Sequence, residues 1–351
     1  MSVINGFRSL SMSNLKFQNA LSGVEQNCPP IWFMRQAGRY HSHYQELKKK
    51  YTFEQLCKNP ELAAETALGP IRDFDFDASI YFNDILYPLE ALGFDLEYSP
   101  GPILSPRLDD AFLGNLKSLD EASSFLSFQK DAVKATRELL PKDKSLIGFI
   151  GGPWTLFTYA VECSHKGHMI DSKMNTDLFI KFSEVLLPLL NNCIKEQLLS
   201  GAEVVMIFDT SAGSLSTSHF QSFVVPAIEK LAKANPGKVG YYAKETTHHQ
   251  ANLLKHLPLA GLGYDHRFSM KELLLEEDRS GFVQGNFDQT LLFADESNFK
   301  KYLASYIEPL KELTPSERKG WISGLGHGVL PKTPESNVRL LINTIREEFN
   351  A

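Results

Sequence analysis

The amino-acid sequence predicts an α/β fold, specifically a (β/α)8 TIM barrel in a single domain. Short apolar runs rich in β-branched and aromatic residues alternate with longer segments of helical periodicity. Several of these runs show little polar alternation, as expected for parallel strands covered by helices. The length of 351 residues suits one barrel with insertions. An open, doubly wound sheet is the alternative arrangement of the same elements.

The elements can be placed along the chain in order. The predicted strands are Pro30–Arg35, Ala78–Phe82, Leu146–Ile150, Val204–Phe208, Val239–Ala243, Gly261–Tyr264, Phe282–Gln284 and Trp321–Ser323. Helices are predicted at Glu61–Asp73 and at Leu178–Leu199, where Pro188 should introduce a kink. The last helix should be capped by Thr333, with Pro334 in its first turn. Its apolar face comprises Val338, Leu341, Ile342, Ile345 and Phe349.

The domain organisation follows from the absence of breaks. No linker or low-complexity segment divides the sequence. It contains no internal repeat beyond the alternation of strands and helices. Hydrophobic residues make up 43% of the chain, which is enough for a large core. We therefore expect one barrel domain over residues 1–351, in which residues 1–25 form an N-terminal extension and helix.

Composition excludes some classes of function. The net charge of −6 argues against a nucleic-acid partner. It says little about a small anionic substrate, because the Debye length is only about 8 Å at physiological salt. No apolar run approaches a membrane span, and residues 1–17 lack the pattern of a secretory leader. Four scattered cysteines favour free thiols in a reducing cytoplasm.

In a barrel, functional residues are expected just after the strands, at the C-terminal rim. Arg35 and Arg39 follow the first strand, four residues apart, and would share one face of a helix. In a turn, Gly38 would give the backbone its freedom instead. Two guanidinium groups suit carboxylates bound in a bidentate way, and Gln36 adds neutral donors. The alternative is two surface arginines on a solvated turn.

Later strands are followed by further candidates. Asp84 follows the second strand, where a carboxylate can accept N–H donors or stabilise a cation, or can simply cap a helix. Tyr159 follows a glycine pair and lies either in a site or in the core. Thr210 offers a hydroxyl that binds carboxylates or caps a helix. His327, set between glycines, is either a proton carrier or a structural residue.

Two further kinds of site are disfavoured. The histidine pairs His41/His43 and His248/His249 have no Cys or carboxylate cluster at metal-ligand spacing, so we expect no metal. No serine or cysteine stands out as a nucleophile.

Five segments carry a specific pattern in a fixed order. They are Ile31 to Tyr40, Phe82 to Leu86 with Ala91 to Gly93, Gly152 to Leu156 with Tyr159, Gln284 to Asn286, and Leu325 to Gly328. Together these segments resemble the uroporphyrinogen decarboxylase family along nearly the whole chain.

The resemblance implies a (β/α)8 barrel, an enzyme without a cofactor, and usually a homodimer. The implied reaction decarboxylates the four acetate arms of uroporphyrinogen III to coproporphyrinogen III in haem synthesis. It implies catalytic roles for Arg35, Asp84, Tyr159 and His327. The implied substrate-binding residues are Arg35, Gln36, Ala37, Arg39, Asp84, Tyr159, Thr210 and His327.

The sequence departs from the family pattern at several positions. His41, Ser42 and His43 stand where the family usually continues with Leu-Pro-Glu after its tyrosine. Lys48 stands where arginine is common and Thr210 where serine is frequent. Gly324 replaces a usual asparagine and His266 a usual tryptophan, which puts details of propionate binding in question. The rival functions are a barrel-family methyltransferase and a tetrapyrrole-binding protein without catalysis.

Overall fold

The structure is a computed structural model that describes residues 13–98, 101–164, 167–279 and 281–350. Its strands are β1 Ala78–Ile80, β2 Asp95–Tyr98, β3 Pro102–Ser105, β4 Ser145–Gly151, β5 Val204–Phe208, β6 Val239–Tyr242, β7 Gly261–Gly263, β8 Phe282–Phe287 and β9 Trp321–Leu325. Within these residues, seven strands pair in parallel in the order β1-β4-β5-β6-β7-β8-β9, and β2 and β3 form a separate antiparallel pair.

Helices lie between the parallel strands and cover the sheet. They are α1 Leu15–Leu21, α2 Ser42–Lys48, α3 Phe53–Lys58, α4 Pro60–Phe74, α5 Tyr87–Ala91, α6 Asp110–Leu113, α7 Leu119–Phe125, α8 Ser127–Leu139, α9 Pro153–Glu162, α10 Ile170–Met174, α11 Thr176–Leu199, α12 Thr217–His219, α13 Val225–Ala234, α14 His248–Asn252, α15 Met270–Leu275, α16 Glu296–Lys311 and α17 Glu335–Phe349. No helix in the described ranges is both long enough and apolar enough to cross a membrane.

The first stave of the barrel, meaning the first strand position in its wall, is much shorter than predicted. The predicted strand Pro30–Arg35 is reduced to a parallel bridge between Ile31 and Ser323 of β9. The Ser323 N–H donates to the Pro30 carbonyl at 2.9 Å, and the Asp77 N–H donates to the Ile31 carbonyl at 3.0 Å. The segment therefore hydrogen-bonds to β9 on one side and to the start of β1 on the other. This closes the curled sheet into a ring and confirms the barrel over the open sheet.

A buried carboxylate fixes this seam at the N-terminal end of the barrel. The Asp77 side chain is 3% exposed and accepts the Ile31 N–H at 2.9 Å. It also accepts Asn14 Nδ2 at 3.2 Å, which attaches the segment before α1. Lys16 and Arg346 lie 3.8 and 3.7 Å from its oxygens. One side chain thus joins the first stave, the N-terminal helix and the C-terminal helix.

Most predicted helices agree with the structure, and one predicted cap is wrong. Pro188 lies inside α11 as expected, and the predicted apolar face of α17 is buried. Thr333 does not cap α17, because Pro334 is the N-cap residue. The Thr333 hydroxyl donates instead to the Leu330 carbonyl at 2.8 Å within the preceding turn. Of the predicted N-terminal extension, residues 1–12 lie outside the described residues, and α1 supplies the helix.

We expect Asp77→Ala to lower the free energy of unfolding by about 2–3 kcal/mol, because a buried N–H group loses a charged acceptor. Urea denaturation measures this change. Asp143→Ala removes an exposed carboxylate just before β4 and should change stability by less than about 0.5 kcal/mol. Equal stabilities of the two variants would contradict the role of Asp77 at the seam.

Candidate active site

The candidate residues meet at one end of the barrel. Parallel strands place all their carboxyl ends at the same rim, so residues that follow different strands become neighbours. The residues that follow a barrel stave here are Arg35, Asp84, Tyr159, Thr210, Lys244, Asp265 and His327. The rim therefore collects positive, negative and hydroxyl groups that lie far apart in the sequence.

Arg35 reaches the rim through an unusual backbone conformation. Its φ is +62°, in the left-handed region that residues other than glycine rarely adopt. The Gln36 N–H donates to the Phe33 carbonyl at 3.0 Å, which closes a tight turn around this residue. The Arg35 side chain lies against Gly328, where a Cβ atom would stand 2.5 Å from the arginine Cδ. The glycine after His327 therefore makes room for Arg35 beside the histidine.

Gln36 supports this turn from inside the barrel. Its side chain is 1% exposed, and its Nε2 donates to the Ala78 carbonyl of β1 at 3.1 Å. Its Oε1 accepts the Phe33 N–H at 3.3 Å, and its own carbonyl accepts the Tyr40 hydroxyl at 2.9 Å. The amide that the sequence suggested as a donor to substrate is directed inward, whereas Ala37 lies half-buried beside it.

Arg35 and Arg39 form a pair of positive charges without a counter-ion. No carboxylate in the described part of the chain makes an ion pair with either of them. Burial and then the charge of Arg39 lower the pKa of Arg35. Gly38 is needed here for space, because a Cβ atom would lie 2.9 Å from the Arg35 carbonyl oxygen. Two guanidinium groups without a carboxylate partner have the chemistry to bind an anion.

Asp84 is the negative group of this cluster. Its Oδ1 accepts the Leu86 N–H at 2.8 Å, but α5 begins at Tyr87 with Leu86 as its N-cap, so Asp84 is not a helix cap. Burial raises the pKa of the Asp84 carboxyl, while the Leu86 N–H, the Tyr98 hydroxyl and the charge of Arg35 act to lower it. The carboxylate is half-buried and lies within electrostatic reach of the arginine.

Tyr159 belongs to the same cluster. It lies on α9 and is half-buried. Burial first, and then the negative charge of Asp84, raise the pKa of its hydroxyl to about 12, whereas Arg35 lowers it. The three side chains that follow three different staves therefore interact with one another.

His327 lies at the rim within electrostatic reach of Arg35. Its ring is stacked on that of Tyr242, with centroids 5.9 Å apart and 14° between the planes. Its Nδ1 lies 3.1 Å from the Tyr242 hydroxyl. Burial, followed by the charges of Arg35 and Lys244, lowers the pKa of His327 to about 4. The imidazole is therefore neutral at neutral pH.

Thr210 follows β5 at the rim, but among the described residues no hydrogen bond or ion pair joins it to Arg35 or Asp84. Its neighbour Asp209 is fully buried and accepts both the N–H and the hydroxyl of Thr155 at 2.7 Å. The Tyr241 hydroxyl donates to the other oxygen at 3.3 Å. Since Thr155 lies on α9, this carboxylate fixes the helix that carries Tyr159 against β5.

Two residues near the site were missed by the sequence reasoning. Tyr242 ends β6 in an otherwise apolar strand, and its terminal position was the signal that its hydroxyl would reach the rim. Tyr98 lies in the β2–β3 pair, outside the alternation of strands and helices, so its position in the sequence gave no signal.

The departures from the family pattern are accommodated locally. His41 is 0% exposed and bonds Asp73 at 2.7 Å, and His43 bonds Glu65 at 2.8 Å, so both histidines attach their segment to α4. Lys48 is exposed at the end of α2, and His266 lies at the rim 3.9 Å from Asp288.

The space around Gly324 is filled from the neighbouring strand. A Cβ atom at Gly324 would stand 2.3 Å from Nε2 of Gln284. Gln284 is 1% exposed, so its side chain occupies the volume that a larger residue at position 324 would need. The searched residues contain no group of three or more His, Cys, Asp or Glu side chains that could hold a metal ion.

Known proteins resemble this chain over nearly its full length. The family model described as uroporphyrinogen decarboxylase (URO-D) matches residues 12–348. The uroporphyrinogen decarboxylase of Gloeobacter violaceus is 33% identical over 343 residues, covering 91% of this chain and 93% of that protein. The one from Rickettsia bellii is 34% identical over 333 residues, covering 92% of this chain and 95% of that protein.

Solved structures support the fold. A methyltransferase from Methanosarcina mazei superimposes with a TM-score of 0.75 at 20% identity, covering 97% of this chain and 99% of that one. A putative vitamin-B12 independent methionine synthase from Listeria monocytogenes gives a TM-score of 0.54 at 12% identity, covering 92% and 98% of the two chains. At these identities the similarity concerns the barrel architecture and not the chemistry.

The pKa of Asp209, which burial raises to about 6, predicts a pH dependence of stability. Between about pH 4 and pH 6 the folded protein keeps a proton that the unfolded chain releases. The free energy of unfolding should therefore fall as the pH rises from about 4 to about 6. This group alone should account for up to about 3 kcal/mol of the decrease. Asp209→Asn should lack this component in urea denaturation measured at several pH values.

Asp143→Asn is the matched control, because it removes an exposed carboxylate outside the rim. Its stability should follow the pH profile of the unmodified protein. A profile of Asp209→Asn that coincides with both would show that Asp209 does not titrate in this range.

Proposed function

The chain belongs to the uroporphyrinogen decarboxylase family, and from that premise we propose that it converts uroporphyrinogen III to coproporphyrinogen III by decarboxylating the four acetate side chains. One observation carries this proposal beyond family membership. Arg35, without an ion-pair partner among the described residues, lies within electrostatic reach of a half-buried carboxylate, Asp84, and of a neutral imidazole, His327. A substrate with eight carboxylates around a ring of four pyrrole N–H groups needs this combination.

Arg35 and Arg39 hold substrate carboxylates in this proposal. Arginine remains charged at any physiological pH, so it suits positioning better than proton donation. Its planar fork binds a carboxylate through two parallel hydrogen bonds. The arginines serve best on carboxylates that do not react, because a strong pair on the reacting group would stabilise the ground state and slow the step.

Asp84 accepts pyrrole N–H groups and stabilises the cation that forms during decarboxylation. Protonation of a pyrrole carbon makes the ring cationic, and the bond to the carboxylate then breaks with its electron pair entering the ring. Carbon dioxide leaves, the exocyclic carbon takes a proton to become a methyl group, and the ring proton is released. The pyrrole ring itself is the electron sink, so the reaction needs no cofactor.

The partial burial of Asp84 supports this role. A carboxylate that has lost part of its hydration gains more from a nearby positive charge than a fully solvated one does. At an effective dielectric constant near 20, opposite charges about 4 Å apart attract by about 4 kcal/mol, or roughly three decades of rate if the gain is confined to the transition state. Tyr159 lies within electrostatic reach of this carboxylate, and we propose that it contacts the same ring.

The remaining candidate residues have supporting roles. We assign Gln36 to the support of the arginine turn, since its amide bonds the backbone of β1 and of the turn itself. Ala37 lines the turn, and Thr210 offers its hydroxyl to a substrate carboxylate at the rim after β5.

Neither rival function is favoured. The methyltransferases that share this barrel have a zinc site formed by cysteines late in the sequence. In this sequence no cysteine follows Cys193. A tetrapyrrole-binding protein without catalysis would not need a half-buried carboxylate next to the arginines. Incubation with anaerobically prepared uroporphyrinogen separates the alternatives, because only a decarboxylase gives products with progressively fewer carboxylates.

At the level of the whole protein, we propose one barrel domain over residues 1–351 that acts as a homodimer in the cytoplasm. The small-molecule substrate is its partner, and we propose no nucleic-acid or membrane partner.

Asp84→Asn should retain the fold and lose at least about 99% of turnover, since the amide cannot balance the ring cation. An anaerobic assay of carboxylate loss by chromatography measures this effect. Asp95→Asn, which alters an exposed carboxylate on β2, should leave turnover unchanged. Near-normal turnover of Asp84→Asn would refute the role assigned to this residue.

Salt should weaken substrate binding through the arginines, because mobile ions screen the attraction between guanidinium groups and carboxylates. We expect KM to rise several-fold, on the order of three- to ten-fold, between low and high ionic strength, and Arg39→Gln should flatten this dependence. Lys142→Gln changes an exposed cation at the opposite end of the barrel and should retain the full dependence. A KM of the unmodified protein that does not vary with salt would contradict the arginine assignment.

A further inference from the structure

We propose that Tyr242 is a positioning residue that holds the neutral imidazole of His327 as the Nδ1–H tautomer, so that Nε2 faces the substrate as a proton acceptor. This inference deepens the proposed function and rests on it for the catalytic meaning of His327. The tautomer itself follows from hydrogen bonds within the protein, and it can be measured without substrate.

The hydroxyl of Tyr242 has two neighbours but only one proton. It lies 2.8 Å from the carbonyl oxygen of Gly326 and 3.1 Å from Nδ1 of His327. A carbonyl oxygen can only accept, so the tyrosine proton must be donated to Gly326. The tyrosine oxygen then has only lone pairs left for the ring nitrogen. Nδ1 must therefore carry the proton and donate it to Tyr242, which leaves Nε2 unprotonated in the neutral ring.

The packing around the two rings makes this arrangement rigid. Tyr242 is 0% exposed at the end of β6, and its ring is stacked on His327 with only 14° between the planes. Gly263 on the adjacent strand leaves room for the tyrosine, since a Cβ atom there would stand 3.1 Å from its Cδ2. Burial keeps the tyrosine protonated by raising its pKa. The hydroxyl is thus a fixed acceptor for Nδ1.

The charges facing His327 favour the neutral ring. Arg35, from the turn after the first stave, and Lys244, from the loop after β6, disfavour a second proton on the imidazole. Asp265 and Glu245 act in the opposite direction but more weakly. Each of these acids is already engaged by a cation, Asp265 by Arg267 at 2.6 Å and Glu245 by Lys244 at 2.9 Å.

The tautomer decides what His327 can do at the start of turnover. An unprotonated Nε2 cannot donate a hydrogen bond to a carboxylate, but it accepts one from a pyrrole N–H or takes the proton that the ring carbon releases at the end of the reaction. The proton that first adds to the ring must therefore come from another group or from water. Tyr242 acts through His327 and does not itself contact the reacting atoms.

Tyr242→Phe tests the proposal because it removes the acceptor and keeps the stacked ring. The tautomer is read from the nitrogen chemical shifts of protein labelled with ¹⁵N-histidine, at neutral pH and without substrate. Comparison with His327→Gln assigns the signals of His327 among the 10 histidines. We expect the unmodified protein to show the Nδ1–H form. In Tyr242→Phe the ratio should move toward the Nε2–H form by about three- to ten-fold, the equivalent of one lost hydrogen bond.

The kinetic readout separates positioning from a structural role. In Tyr242→Phe, kcat should fall about three- to ten-fold while KM changes by less than about two-fold, because substrate binding by the arginines is intact. Tyr264→Phe is the matched control. It removes another buried tyrosine hydroxyl next to the rim, one that forms no hydrogen bond with His327, and it should alter neither the tautomer nor kcat.

The proposal is overturned if the unmodified protein has its histidine proton on Nε2, or if Tyr242→Phe leaves the tautomer unchanged. A shifted tautomer with an unchanged kcat would overturn the catalytic part. If the unmodified protein does not decarboxylate uroporphyrinogen, the proposed function fails, while the nitrogen spectra of the free protein still decide how Tyr242 positions His327.

Discussion

Arg35 lies against Gly328 because the first and last staves of the barrel are neighbours, and the candidate site depends on that contact. Ile31 bridges to Ser323, and the Val329 N–H donates to the Met34 carbonyl at 2.9 Å, so the two motifs run side by side as they leave the barrel. The arginine side chain passes over the glycine and comes within electrostatic reach of the histidine that precedes it. Residues from opposite ends of the sequence thereby form one surface.

The same rim combines charges that the protein leaves uncompensated. Two arginines have no ion-pair partner among the described residues, and a half-buried carboxylate lies within electrostatic reach of one of them. Such an arrangement opposes folding, because like charges repel and a partly buried carboxylate loses part of its hydration. At the other end of the barrel Asp77 is surrounded by donors and cations. The stabilising contacts of Asp77 thus lie at one end of the barrel and the candidate binding residues at the other, as in other barrels of this type.

Departures from the family sequence are absorbed by their immediate neighbours. His41 and His43 find acidic partners on α4, and Gln284 fills the space beside Gly324. The contacts of these departures lie outside the group of Arg35, Asp84 and Tyr159, which stay within electrostatic reach of one another.

The sequence by itself determined the order of strands and helices, the barrel class and the family, because hydrophobic periodicity and contiguous motifs are local properties. It could not determine how far the first strand extends, since Arg35 adopts its left-handed conformation only against Gly328. It could not show that Gln36 points inward or that Tyr242 contacts His327, because each depends on a partner from a distant stave. Closure of the ring decided these contacts, and with them the protonation and orientation of the candidate catalytic groups.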